Sequence, residues 1–201
     1  MNELSTQQKK NNRTIIIIFA MSIIPFCIAW YLSSNDAWMG GGTNQGKLIT
    51  PIITTEFSEF KGFDEFSVEN MAEIKGHWVL LNIIPNKTCN EVCIKAIHKT
   101  KQIRLMMSKD LTRIRRLVLV VAEIDQQAAQ IWWKDDSRLL RAKPNALLIE
   151  KINKVSKAGL KDGMLLLMDP LGNLMMQYEP GFDPYKVKSD MKKLLKISQI
   201  G

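Results

Sequence analysis

Cys89 and Cys93 stand four residues apart in Thr88-Cys89-Asn90-Glu91-Val92-Cys93, where the following residues mark the start of a helix. Two thiols at that spacing can exchange electrons or bind a soft metal ion. At a helix N-terminus Cys89 faces free backbone N–H groups and the positive end of the dipole, and Lys87 is adjacent. All three favour thiolate, and Glu91 opposes them. Cys93 follows one turn later, about 6 Å along a helix axis. A disulfide needs Cα atoms roughly 4.4–6.8 Å apart, which is met if Cys89 stays in an unwound first turn. The redox reading makes Cys89 the nucleophile and Cys93 the resolving thiol. The metal reading makes the same two thiolates ligands of Cu(I), with Met164 or Met168 as a third ligand. Two inert thiols or a structural disulfide remain alternatives, and for both methionines so does plain packing in an apolar strand. His98 reads as a surface residue and His77 as a structural one at a strand start.

The flanking pattern supplies the elements that would position this pair. His77–Ile84 is a nearly continuous apolar run, the mark of a central strand covered on both faces. Pro85 and Asn86 end it. Thr88 and Glu91 fit a capping box, with Thr88 as the N-cap. Val92, Cys93, Ala96, Ile97, Ile103, Met106 and Met107 then form one helical stripe. Arg116–Ala122 is a second apolar strand, so strand, cysteine turn, helix and strand follow in order, which favours a right-handed crossover and a parallel pair. Helical stretches are expected around Asp125–Lys134 and Asn145–Ser156, interrupted by Pro144. Met164–Met168, a turn at Asp169–Asn173 and Leu174–Tyr178 make an antiparallel hairpin. Lys186–Ile197 closes the chain as an amphipathic helix. This α/β order, β-α-β then β-β-α, resembles the thioredoxin arrangement, with the cysteine pair between the core's first strand and the helix it feeds.

Thr14–Leu32 is an uncharged run of 19 residues. As a helix it spans roughly 28 Å, about one hydrocarbon core. Trp30 and Tyr31 stand at its far end as interfacial aromatics, and Lys9, Lys10 and Arg13 against Glu3 flank the near end. The positive-inside rule leaves the N-terminus in the cytoplasm and residues 33–201 outside. A cleaved signal peptide is the rival reading, weakened by the length of the run and the lack of a clean small-x-small site. Cys27 lies inside the span as a buried apolar residue. The expected organisation is 1–13 cytoplasmic, 14–32 transmembrane, 33–56 a glycine-rich linker and lead-in, and 57–201 one extracytoplasmic domain. Phe57, Phe60, Phe63 and Phe66 in its first stretch fit either a core cap or an edge hairpin. The chain carries 28 basic and 20 acidic residues, net +8. This balance suits an anionic lipid surface, while the compartment argues against nucleic acid. The basic residues Lys95, Lys99, Lys101, Arg104, Arg113, Arg115 and Arg116 read as a face toward the membrane or an acidic partner, or as a solvated surface. Trp132-Trp133 reads as part core and part partner surface.

A C-x-x-x-C pair on such a core behind an N-terminal anchor resembles the Sco/SenC family. The hairpin Leu166-Leu167-Met168-Asp169-Pro170-Leu171-Gly172-Asn173 is similar to that family's strand-turn signature, and the lead-in Gly42–Leu48 is similar to that of oxidase-assembly proteins of proteobacteria. The resemblance covers roughly residues 75–198. It implies a bacterial inner-membrane protein with a periplasmic domain that helps assemble cytochrome c oxidase. It would do so by handling copper as Cu(I) at Cys89 and Cys93, or by keeping client thiols reduced. Its partner would be an oxidase subunit or another assembly factor. The family's histidine before the Asp-Pro strand has no counterpart in Gly159–Met164, and its proline-containing cysteine loop is absent. A general periplasmic thiol-disulfide oxidoreductase and a non-catalytic assembly scaffold are the other two classes, so whether the chain is an enzyme stays open here.

Overall fold

The computed structural model describes residues 2–34, 44–156, 159–198 and 200. The glycine-rich part of the expected linker, residues 40–43, lies outside the described residues. The chain divides into two units, Met1–Thr43 and Asn44–Gly201. The described residues of the first form a single helix, α1 (Asn2–Ser34), with Pro25 inside it. Its stretch Asn11–Tyr31, of mean hydropathy 2.2, is long and apolar enough to cross a membrane.

The second unit is a mixed α/β domain. In chain order it comprises β1 (Lys47–Thr54), β2 (Phe60–Gly62), α2 (Glu65–Asn70), β3 (Trp78–Ile84), α3 (Glu91–Met106) and β4 (Ile114–Val120). Then come α4 (Gln126–Ala129), β5 (Leu140–Pro144), α5 (Ala146–Asn153), β6 (Leu165–Met168), β7 (Asn173–Tyr178) and α6 (Pro184–Ile197). One seven-stranded sheet runs β1-β7-β6-β3-β4-β5-β2. β3 pairs in parallel with β4 through the α3 crossover, and antiparallel with β6. The expected β-α-β and β-β-α halves are therefore joined at β3, the strand that feeds the cysteine turn.

All seven residues of β3 are buried. Val79, Leu81 and Ile83 pack with Leu148 and Ile152 of α5 on one face of the sheet. Trp78 and Leu80 meet Ala96 and Ile103 of α3 and Val187, Met191 and Leu195 of α6 on the other. A strand covered on both faces must be apolar at successive positions, which is why β3 and β4 are so plain in the sequence.

Three segments differ from expectation. Residues 47–54, inside the expected linker, form edge strand β1 against β7. The lead-in is clamped there: the buried Asp190 carboxylate accepts the Gln45 and Gly46 N–H groups at 2.8 and 2.9 Å and the Tyr178 hydroxyl at 2.9 Å. Gly46 is required by contact, because a Cβ would lie 2.6 Å from the Tyr178 ring. Second, β5 occupies Leu140–Pro144, where only a break before a helix was expected. Its second residue, Arg141, is buried and pairs with Asp64 at 2.7 Å. Third, the phenylalanine-rich stretch is an edge rather than a hairpin of its own: β2 pairs antiparallel with β5, and α2 follows, capped by Asp64 accepting from the Ser67 N–H.

Candidate functional site

The cysteine turn begins where β3 ends. Asn90, not Thr88, is the N-cap of α3: it lies in extended conformation and its Oδ1 accepts the Cys93 N–H at 3.0 Å. Cys89 is therefore outside the helix and Cys93 is in its first turn. Glu91, freed from the expected capping box, pairs with Lys95 at 2.8 Å. That hydrogen bond, and then the ammonium charge, hold its carboxyl below the ordinary carboxylate range. The charge that opposed a thiolate at this end is thus partly offset by its own neighbour.

The two sulfurs are joined in a disulfide, with Cα atoms 5.3 Å apart. Cys89 is 6% exposed and Cys93 1%. They belong to an apolar cluster with Phe63, Ile84, Ile97, Val118, Val120, Ala129, Trp133 and Leu139. Phe63 and Trp133 meet edge to face, with centroids 5.9 Å apart, and Trp132 packs edge-on against Trp133. The pair is thus more enclosed than a thiol at an open helix end. Of its two sulfurs, Cys89 has the greater access for an incoming thiolate. Displacing Cys93 would leave a new thiolate in the first turn of α3, where the dipole stabilises it.

The loop before β6 braces the turn. Asn86 Nδ2 and Asn90 Nδ2 both donate to Asp162 Oδ2 at 3.1 Å. Asp162 Oδ1 is buried with no hydrogen-bond partner among the described residues. Next to it Gly163 has φ +80°, and a Cβ there would meet Val92 Cγ1 at 2.8 Å and the Val92 carbonyl oxygen at 3.0 Å. Sequence reading missed Asp162, since nothing local marks a carboxylate 72 residues from its Asn90 partner. Gly163→Ala is expected to destabilise the domain by about 1–3 kcal/mol, from left-handed strain and the Val92 contact together. The check is a lower urea midpoint of the full chain in detergent at unchanged m-value.

The proposed third ligands are not gathered at the sulfurs. Met164 and Met168 lie fully buried in the α5-side cluster, apart from the cluster that holds the cysteines. Met168 Sδ accepts instead from the Thr55 hydroxyl. His98 is exposed on α3, and His77 Nδ1 lies 3.0 Å from the Lys75 carbonyl. Among the described residues no group of three or more His, Cys, Asp or Glu side chains is placed to hold a metal ion. The residues present do not fit a copper site with two cysteines and a histidine. The basic run is also largely committed within the fold. Arg116 is buried against Asp136 at 2.7 Å, Arg115 meets Glu73 at 2.9 Å, and Lys99 donates to the Phe182 carbonyl at 2.6 Å. Arg113 binds the carbonyls of Leu195, Ser198 and Ile200.

A thioredoxin-like sheet with an oxidised cysteine pair at the N-terminus of the helix after its central strand defines the class of this domain. Residues 78–198 match the family described as the transmembrane-like, thioredoxin-like C-terminal domain, and the chain belongs to that family. No curated protein matches it. Solved structures similar to it include yeast Sco1 with copper bound, 13% identical with a TM-score of 0.48 over 62% of this chain and 82% of that one. Arabidopsis thaliana ScoI with copper bound is 14% identical, with a TM-score of 0.46 over 62% and 88%. The thioredoxin domain of a Bacteroides vulgatus thiol-disulfide oxidoreductase is 14% identical, with a TM-score of 0.48 over 74% and 96%.

Proposed function

We propose that the protein is a membrane-anchored thiol-disulfide exchange protein whose working groups are Cys89 and Cys93. The observation that carries this reading is their disulfide at the N-terminus of α3, with the outer sulfur on the residue before the cap and the inner one in the first helical turn. A client thiolate attacks Cys89 Sγ along the S–S axis, and Cys93 leaves as thiolate. A second client thiolate then attacks the client sulfur of the mixed disulfide, and Cys89 leaves. Two electrons pass from the client to the pair, and the client gains a disulfide. Run in reverse, the reduced pair reduces a client disulfide. The direction follows from the pair's reduction potential against that of its compartment.

The charges flanking the span favour a cytoplasmic N-terminus, and the Sco/SenC resemblance suggests the periplasm of a bacterial inner membrane as the compartment of the domain. The client class suggested by the Sco/SenC resemblance is a cytochrome c oxidase subunit with copper-ligand cysteines. Copper handling by the same pair has weaker support, because among the described residues no group of three or more His, Cys, Asp or Glu side chains is placed to hold a metal ion. The test is trapping in intact membranes. Cys93→Ser should accumulate reductant-sensitive mixed disulfides through Cys89, and Cys89→Ser should not. Equal trapping by both variants, or by neither, would count against the assigned roles.

A further inference from the structure

We propose that the recess between α3, the start of β4 and residues 135–138 binds a phosphate-bearing anion, gripped by Arg104 and Arg138. Two adjoining cavities open there, and both are lined by Arg104, Arg116, Ser137 and Arg138. The larger, of about 380 Å³, also takes in Arg115 and Glu73. Lys101 and the acids Asp135 and Asp136 line the smaller. Five cations therefore face three carboxylates, an excess suited to a dianion.

The cations are not equally free. Arg115 is held by Glu73 and Arg116 by Asp136, and Arg116 also donates to the Ile97 carbonyl. Lys101 donates to the Asp135 backbone oxygen. Arg104, among the described residues, spends only its Nε, on the Ile114 carbonyl at 2.9 Å. Among the described residues no carboxylate lies within ion-pair distance of Arg104 or Arg138. The half-buried Arg104 and the exposed Arg138 thus keep terminal N–H donors at the same concave surface. Arg104 shows the strain of that arrangement: burial first, then the charges of Arg115, Arg138 and Arg116, push its pKa down. A bound anion would relieve that repulsion. Guanidinium forks match the paired oxygens of a phosphate bidentately, and Ser137 lines the same recess. The inference is independent of the cysteine chemistry.

Two sources can present this group, a phospholipid headgroup or a soluble phosphoryl compound. The test uses the full chain in an uncharged detergent, titrated at low salt with inorganic pyrophosphate. A parallel arm compares nanodiscs of phosphatidylcholine with nanodiscs containing phosphatidylglycerol. Arginine Nε–H resonances are the readout. Exposed Arg138→Gln leaves the Arg104–Ile114 bond in place, and its melting temperature is expected to stay unchanged. We expect saturable shifts at Arg104 and Arg138 that weaken about tenfold or more in Arg138→Gln and fade as salt rises. A response to pyrophosphate identifies a soluble source, and a response only to phosphatidylglycerol a lipid one. No response in either arm, or binding that Arg138→Gln leaves unaltered, would overturn the proposal.

Discussion

Replacing Cys93 by serine is expected to stop catalytic thiol-disulfide turnover at the mixed disulfide while leaving the domain folded. The two effects separate because the disulfide closes a very short loop: the cysteines are four residues apart. Chain-entropy arguments give such a loop only about 2 kcal/mol of stabilisation. Two of the domain's three apolar clusters contain neither cysteine. A pair that is dispensable for folding but indispensable for exchange is what a redox site requires. Cys89→Ser should abolish exchange altogether, by removing the sulfur that a client can reach. The rate of reduction of a small mixed-disulfide substrate by the reduced full chain, compared with circular dichroism of each variant, measures both quantities. Exchange in Cys89→Ser, or turnover beyond a single mixed disulfide in Cys93→Ser, would mean that the chemistry lies elsewhere.

Asp190→Ala should give the largest loss of stability, about 3–5 kcal/mol. Its carboxylate is 2% exposed and satisfies three donors at once: the Gln45 and Gly46 N–H groups and the Tyr178 hydroxyl. Truncation leaves those donors unpaired and frees the lead-in from α6. Lys193, 3.9 Å from the carboxylate, is a donor itself and cannot accept from these groups. The loss should appear as a lower denaturation midpoint, with faster amide hydrogen exchange at residues 45–48. A pH effect accompanies the clamp. Burial first, then the Asp190 charge and hydrogen bond, raise the Tyr178 pKa in the folded state. The resulting stability is fully present below the ordinary tyrosine value of about 10 and is lost as pH rises above it, where the unfolded chain ionises and the folded one does not. Tyr178→Phe should flatten that alkaline slope, and an unchanged slope would assign it to another group.

The strands flanking the cysteine turn were legible because burial on both faces writes itself as unbroken apolar runs, as at Trp78–Ile84 and Leu165–Met168. The turn of the β6–β7 hairpin and the stripe of α6 were local signals too. The elements that escaped depend on partners far away in the chain. β1 holds Pro51 and has an irregular register, and it becomes a strand only because β7 and Asp190 receive it. β5 hides because Arg141 interrupts its apolar residues, and that charge is tolerated only beside Asp64. Thr88 and Asn90 are both good capping residues. Asn90 caps the helix, and its side-chain amide is tied to Asp162 in a distant loop. The same non-locality governs the site: the chain order shows two cysteines, but not that Phe63 and Trp133, from separate segments, enclose them.

The proposed function requires Cys89 and Cys93 to cycle between disulfide and dithiol within a folded domain. The direct measurement is an equilibrium redox titration of the full chain in detergent, across dithiothreitol and glutathione buffers. Alkylation mass shifts would report the thiols, and tryptophan fluorescence the fold around Trp133. The expected result is one reversible two-electron transition, with the domain folded at both ends. A disulfide that resists the most reducing buffer until denaturant is added would contradict that function and make the pair a structural bond.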